Sequence, residues 1–280
     1  MSVTGHDGGP GRLDSVHVRA RSALFDVYGA YLRRRGGAAT IAALVRLLAP
    51  LDFGAPAIRT AVSRMVRQGW LAPRRLPDGP GYALTERAER RLEEAGTRIY
   101  RLGTSTWDGR WHVVALPELP ARTARDRLTS SLRLLGYGPL GPATWVAPRP
   151  SAGLQDVLAA ESVTARVFHG PLEGDDADLA ATAWDLTELG AEYAAFVAAW
   201  SAELSAVDAA DPPSAFAACQ RLLHAWRKFL FRDPGLPAEL LPAPWPGAEA
   251  AEFFDTKTAL LSPAAAQFVD GCLTNGRKSA

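Results

Sequence analysis

The chain has little sulfur: across 280 residues only Cys219 and Cys272 occur, with two methionines. Two lone cysteines support neither a disulfide framework nor a zinc site, and a reducing cytoplasm is the natural compartment for such a chain. Long apolar runs are missing too. No stretch approaches the roughly 18 uninterrupted apolar residues of a membrane-spanning helix, and the polar, Gly-rich start MSVTGHDGGPGR carries no signal-peptide core. No Gly-rich phosphate loop follows a strand pattern, and the five histidines fall at no metal-ligand spacing. With 48% hydrophobic and 22% charged residues, what remains is an ordinary globular composition.

Lysine is absent from the first 105 residues, which hold 17 arginines against 9 acidic residues, a net charge of +8. The remainder carries 14 basic and 21 acidic residues, a net −7, so the overall +1 conceals two opposed parts. A high-GC genome explains arginine in place of lysine but not the change of sign. That asymmetry fits a nucleic-acid-binding domain joined to a non-binding remainder. The length suits three domains behind a disordered arm over residues 1–14.

Within the basic part, Leu24, Phe25, Tyr28, Tyr31 and Leu32 recur at helical spacing from Ala20 to Arg35, before a Gly36-Gly37 stop. Thr40 is placed to cap a second helix, Ile41 to Ala49, which Pro50 interrupts. A third helix comes next, with Ile58, Ala61, Val62, Met65 and Val66 forming its buried stripe. Its other face carries Arg59, Thr60, Ser63, Arg64 and Arg67, groups suited to guanine edges and phosphate oxygens. An isolated helix with this charge is most simply a solvated face; a basic hairpin directly after it changes the reading. Trp70-Leu71 and Tyr82-Ala83-Leu84 read as short strands joined through Arg74, Arg75 and a Pro77-Asp78-Gly79 turn. Thr85 caps a fourth helix, with Gly96 as its expected terminator. Helix, helix, basic helix, basic hairpin and helix in that order describe a winged helix-turn-helix over residues 15–105, gripping double-stranded DNA.

The runs AVSRMVRQGWL and GYALT resemble the N-terminal domain of the PaaX family of bacterial transcriptional repressors. Residues 106–172 then read as βαββαβ, a ferredoxin-like sandwich, and WDGRW, ARDRL, LGYGPL and TWVAP resemble that family's central Cas2-like domain. A Cas2-like fold raises a metal-nuclease reading. Ala115-Leu116-Pro117-Glu118 lacks the strand-end aspartate such chemistry needs, so a dimerisation or spacing element is the better role, and dimerisation matches a two-fold operator.

Residues 170–178 read as an acidic linker, and 173–280 as an all-α domain in which Asp211-Pro212-Pro213 ends one long helix. On the next helix Arg221, His224, Lys228 and Arg232 make a basic strip. That strip suits the phosphates of a coenzyme A thioester, or else is a solvated face or an ion-paired contact with residues 173–178. The proline-dense FRDPGLPAELLPAPWPG resembles the C-terminal signature of the same family, whose effectors include aryl-CoA thioesters such as phenylacetyl-CoA.

The expectation is therefore a multidomain α+β protein: a cytoplasmic, homodimeric transcriptional regulator, a repressor released by an acyl- or aryl-CoA-type effector, with no metal and no cofactor. An enzyme using His112, His169, His224 or the cysteines, or an architectural protein without ligand, is the alternative.

Overall fold

The computed structural model describes residues 19–99, 106–118 and 122–274; the arm expected over residues 1–14 lies outside them. Helix α1 (Ala20–Val27) runs on into a π turn, Tyr28–Leu32, and a 3-10 turn, Arg33–Arg35. Gly36 then adopts φ +87°, the left-handed geometry that ends a helix. Strand β1 (Ala38–Thr40) comes next and had no counterpart in the sequence pattern, since three small residues display no alternation. The Thr40 hydroxyl accepts the Ala43 N–H at 3.2 Å, capping α2 (Ile41–Leu48). Pro50 sits in a 3-10 turn, and Pro56 opens α3 (Ala55–Arg67), where the missing N–H has no helical partner to lose.

The hairpin is longer than its aromatic anchors suggest. Strands β2 (Leu71–Leu76) and β3 (Gly79–Leu84) pair along their full lengths around a two-residue turn, and the sheet order is β1-β3-β2. Arg74 and Arg75 accordingly lie within β2, opposite Gly81 and Pro80, rather than in the connecting loop. Gly81 is required there: a Cβ would come within 2.5 Å of Leu76 Cδ1 and 2.8 Å of the Ala39 carbonyl oxygen. Thr85 caps α4 (Glu86–Ile99), accepting the Ala88 N–H at 3.3 Å. The helix passes through Gly96, because one interior glycine weakens a helix by only about 1 kcal/mol.

The middle of the chain has the expected βαββαβ order: β4 (Trp111–Ala115), α5 (Arg122–Leu134), β5 (Gly138–Pro139), β6 (Thr144–Ala147), α6 (Leu154–Ala160) and β7 (Arg166–Gly170). The sheet is antiparallel with order β5-β6-β4-β7. Strand alternation sends Val114 and Trp145 into a core with Leu128, Leu132 and Leu158, while Trp111 and Val146 face a second core containing Ala180, Leu236 and Leu240.

Two expectations fail in the C-terminal part. Helix α7 (Asp176–Ala183) begins inside the stretch read as a linker: the Asp175 carboxylate accepts the N–H groups of Ala177 and Asp178, and Trp111 Nε1 donates to Asp176 at 2.7 Å. Acidic residues that look solvated here favour a helix N-terminus. Likewise α8 (Leu186–Ser205) stops before Asp211, which caps α9 (Pro212–Trp226) by accepting the Ser214 N–H. Asp-Pro-Pro thus starts a helix, with prolines in the one turn that tolerates them. Helix α10 (Pro246–Thr274) completes the fold.

The ends of the chain share one core. Leu24, Tyr28, Leu44, Leu47, Ile58 and Met65 pack with Phe216 of α9 and Leu261 and Val269 of α10 in a single buried cluster. Burial against these two helices is what gives the basic unit a platform.

Candidate nucleic-acid interface

In α3 the stripe and the polar face separate cleanly. Ile58, Ala61, Val62 and Met65 are buried, whereas Arg59, Thr60, Ser63, Arg64 and Arg67 are all exposed on the opposite side. Arg74 and Arg75 of β2 are exposed as well. Among the described residues, none of these five guanidinium groups has a carboxylate within ion-pairing distance. Five uncompensated cations on one helix face and one adjacent strand attract polyanions and repel one another, so the surface is shaped for a negatively charged partner.

The hairpin is held to the helices by its aromatic residues. Trp70 meets Phe25 edge-on, with ring centroids 5.3 Å apart, and the Arg87 guanidinium lies over the Trp70 ring at 5.0 Å. The Tyr28 hydroxyl donates to the Tyr82 carbonyl at 2.9 Å, and burial pushes its pKa up, keeping it a neutral donor. These contacts fasten the hairpin to α1, its π turn and α4.

Other arginines of the same unit are engaged. Arg35 reaches Asp270 of α10 at 2.6 Å, which holds that carboxyl below its usual range, and Arg46 donates to the Cys272 carbonyl at 2.7 Å. Buried Asp26 accepts from Arg227 and lies 3.3 Å from His224 Nδ1. None of Asp26, Arg227, Arg35 and Asp270 stood out in the sequence; the one available signal was an acid set between apolar residues in α1.

The four residues of the expected basic strip are not gathered into one site. Arg221 is 3.7 Å from Asp52, His224 turns to Asp26, the Lys228 ammonium lies 5.2 Å from the centroid of the Phe229 ring, and Arg232 pairs with Glu188 and Glu192 of α8. Helix α9 ends at Trp226 and a 3-10 turn succeeds it, so the regular spacing that aligned the strip breaks before Lys228. Its acidic partners come from other segments than 173–178.

The groups an enzyme would need are poorly placed for chemistry. Burial pushes the Cys219 thiol up to about 11 and raises Cys272 too, away from thiolate reactivity. His112 is buried, its Nδ1 2.7 Å from the Tyr137 hydroxyl and its backbone opposite His169 across β4 and β7. Burial and then the nearby His169 lower its pKa. The described residues contain no group of three or more His, Cys, Asp or Glu able to hold a metal, and no helix among them is long and apolar enough to cross a membrane.

Fold and surface together define a mixed α/β protein in which a basic helix-and-hairpin face is carried on a helical platform beside a small antiparallel sheet domain. Three family descriptions match along it in order: PaaX-like protein over residues 19–88, PaaX protein central Cas2-like domain over 104–178, and PaaX-like protein C-terminal domain over 184–271. The chain is 32% identical to the transcriptional repressor PaaX of Escherichia coli K12 over 269 residues, which covers 92% of this chain and 85% of that protein. The chain belongs to the PaaX family. Among solved structures it resembles the uncharacterized protein Rv0674 from Mycobacterium tuberculosis, with a TM-score of 0.66 and 26% identity over 91% of this chain and 99% of that one.

Proposed function

We propose that this PaaX-family protein is a DNA-binding transcriptional repressor acting in the cytoplasm as a homodimer, released from its operator by a small acyl- or aryl-CoA-type effector. The observation that carries the reading is the set of five exposed guanidinium groups on α3 and β2 that have no acidic partner among the described residues. The order α1-β1-α2-α3-β2-β3, with β1 pairing to β3, supports the winged helix-turn-helix reading. In that arrangement α3 enters the major groove and directs Arg59, Thr60, Ser63, Arg64 and Arg67 at base edges and phosphates. Arg74 and Arg75 grip the neighbouring backbone from the hairpin. The domain limits we assign are 15–105 for the winged unit, 106–172 for the Cas2-like unit and 173–280 for the helical unit.

A dimer suits a two-fold operator, and the sheet supports one. Strand β7 is an edge strand whose outer side has no partner among the described residues, and it exposes Val167 and Phe168. An uncovered edge strand invites pairing with another chain, and β7 carries a single charge, Arg166, at its start. A second copy docking there would set the spacing between two winged units.

The deciding experiment is footprinting on DNA flanking the protein's own gene, and then titration of the protected fragment. Arg64→Ala and Arg74→Ala are expected to weaken binding and flatten its salt dependence. Unchanged titrations on the genuine operator would remove the role assigned to this face.

A further inference from the structure

A cleft of about 550 Å³ opens where α1 and its π turn, α4, α9 and α10 meet. Its size is that of a small-molecule site. Phe25, Leu92, Leu223 and Phe254 supply apolar wall, and Arg34 is an exposed cation with no acid partner among the described residues. The other charges at the cleft are already matched: Arg33 with Glu93 at 3.9 Å, and Arg227 with Asp26. Arg34 leaves an excess positive charge over an apolar floor.

Gln220 is the second, independent sign. It is 3% exposed and lines the cleft, yet neither its amide nitrogen nor its amide oxygen has a hydrogen-bond partner among the described residues. The Tyr31 hydroxyl feels both Cys219 and Gln220, but no contact of the amide reaches hydrogen-bonding geometry. Buried polar groups are almost always satisfied; both amide atoms are shut off from solvent in the cleft wall, so an occupant bonds the amide by drawing the side chain into the cleft. A third sign is the π turn at Tyr28–Leu32, which forms the wall facing α9 and belongs to a class of helix distortions concentrated at functional sites.

We infer that this cleft binds a small organic anion with an aromatic or other apolar body, its acid group toward Arg34 and a polar atom bonded to Gln220. The α9 residues that line it are Cys219, Gln220 and Leu223, joined by Arg227 from the turn after the helix, whereas Arg221 and His224 of the strip each follow a lining residue by one position. One residue is about 100° around a helix, enough to turn the strip away from the cleft. As the entry point of an effector the site rests on the repressor reading. An occupant wedges α1 and α4 away from α9 and α10, and α1 also packs on α3, so ligand preference for a separated arrangement passes directly to the DNA-facing helix.

The test uses the full chain and the fluorescent aryl anion 8-anilinonaphthalene-1-sulfonate. Saturable binding of one probe per chain is expected, with Arg34→Ala and Gln220→Leu each weakening it at least tenfold. Arg34 is exposed and Gln220→Leu removes only unpaired polar atoms, so both variants should fold, which circular dichroism would verify. Absence of saturable binding, equal binding by wild type and Arg34→Ala, or loss with Lys228→Ala instead would overturn the site. Operator titrations with phenylacetate and phenylacetyl-CoA test the effector reading separately. If the probe binds in the expected pattern while neither compound alters operator affinity, the anion site stands and the effector role assumed for it falls.

Discussion

Two sets of arginines in the first third of the chain behave in opposite ways. Those on α3 and β2 are exposed and lack acidic partners among the described residues, whereas Arg35 and Arg46, and Arg227 from the turn after α9, are spent on Asp270, the Cys272 carbonyl and Asp26. One residue type therefore sits in two settings: the exposed set carries charge that the fold leaves unused, and the engaged set ties the basic unit to α9, the turn after it and α10. An uncompensated surface cation contributes little to folding, while a buried carboxylate deprived of its cation is costly.

The sharpest way to break this contrast is at Asp26. Asp26→Ala leaves Arg227 and His224 facing an uncompensated pocket and should lower stability by about 3 kcal/mol, measured by urea unfolding. A loss below about 1 kcal/mol would mean that the junction is held by apolar packing alone. The converse case is Arg64→Ala, for which operator affinity should fall by about 1–3 kcal/mol while the unfolding midpoint stays put. A variant that unfolds earlier would show that the face is structural after all. Arg35→Ala lies between these: its partner Asp270 is solvent-exposed, so about 0.5 kcal/mol is expected, shrinking further in high salt.

The smallest effect concerns pH. Because the folded-state pKa of His112 is lowered, the unfolded chain binds the proton more readily than the native one. Stability should therefore decline as pH falls below the ordinary histidine value of 6.5, and the decline should stop once pH drops below the native pKa. His112→Gln should flatten that part of the curve; thermal melts between pH 7 and pH 5 would read it. An unchanged slope would transfer the effect to other groups.

Much of the basic unit was legible because its signals are local. The apolar stripe of α3, the caps at Thr40 and Thr85 and the aromatic anchors of the hairpin each act within a few residues of chain. Boundaries that depend on neighbours were misplaced: β1 exists only because β3 pairs with it, and Gly96 does not end α4. Asp211-Pro212-Pro213 was misread for a different reason, since proline closes a helix from inside but also opens one at its first turn. The basic strip of α9 illustrates the sharpest limit, because a helical period says which residues share a face and nothing about what that face meets.

From residue order alone came the charge division, the alternation of helix and strand, and the candidate DNA-contacting side chains, all consequences of short-range periodicity and of charges counted along the chain. Only the tertiary structure decided that α9 and α10 complete the core of the N-terminal unit, that Asp26 meets Arg227 far along the chain, and that Gln220 is buried without a partner among the described residues. Those facts arise from packing between distant segments, where burial sets the strength of a charge or an amide and sequence spacing carries no record of it.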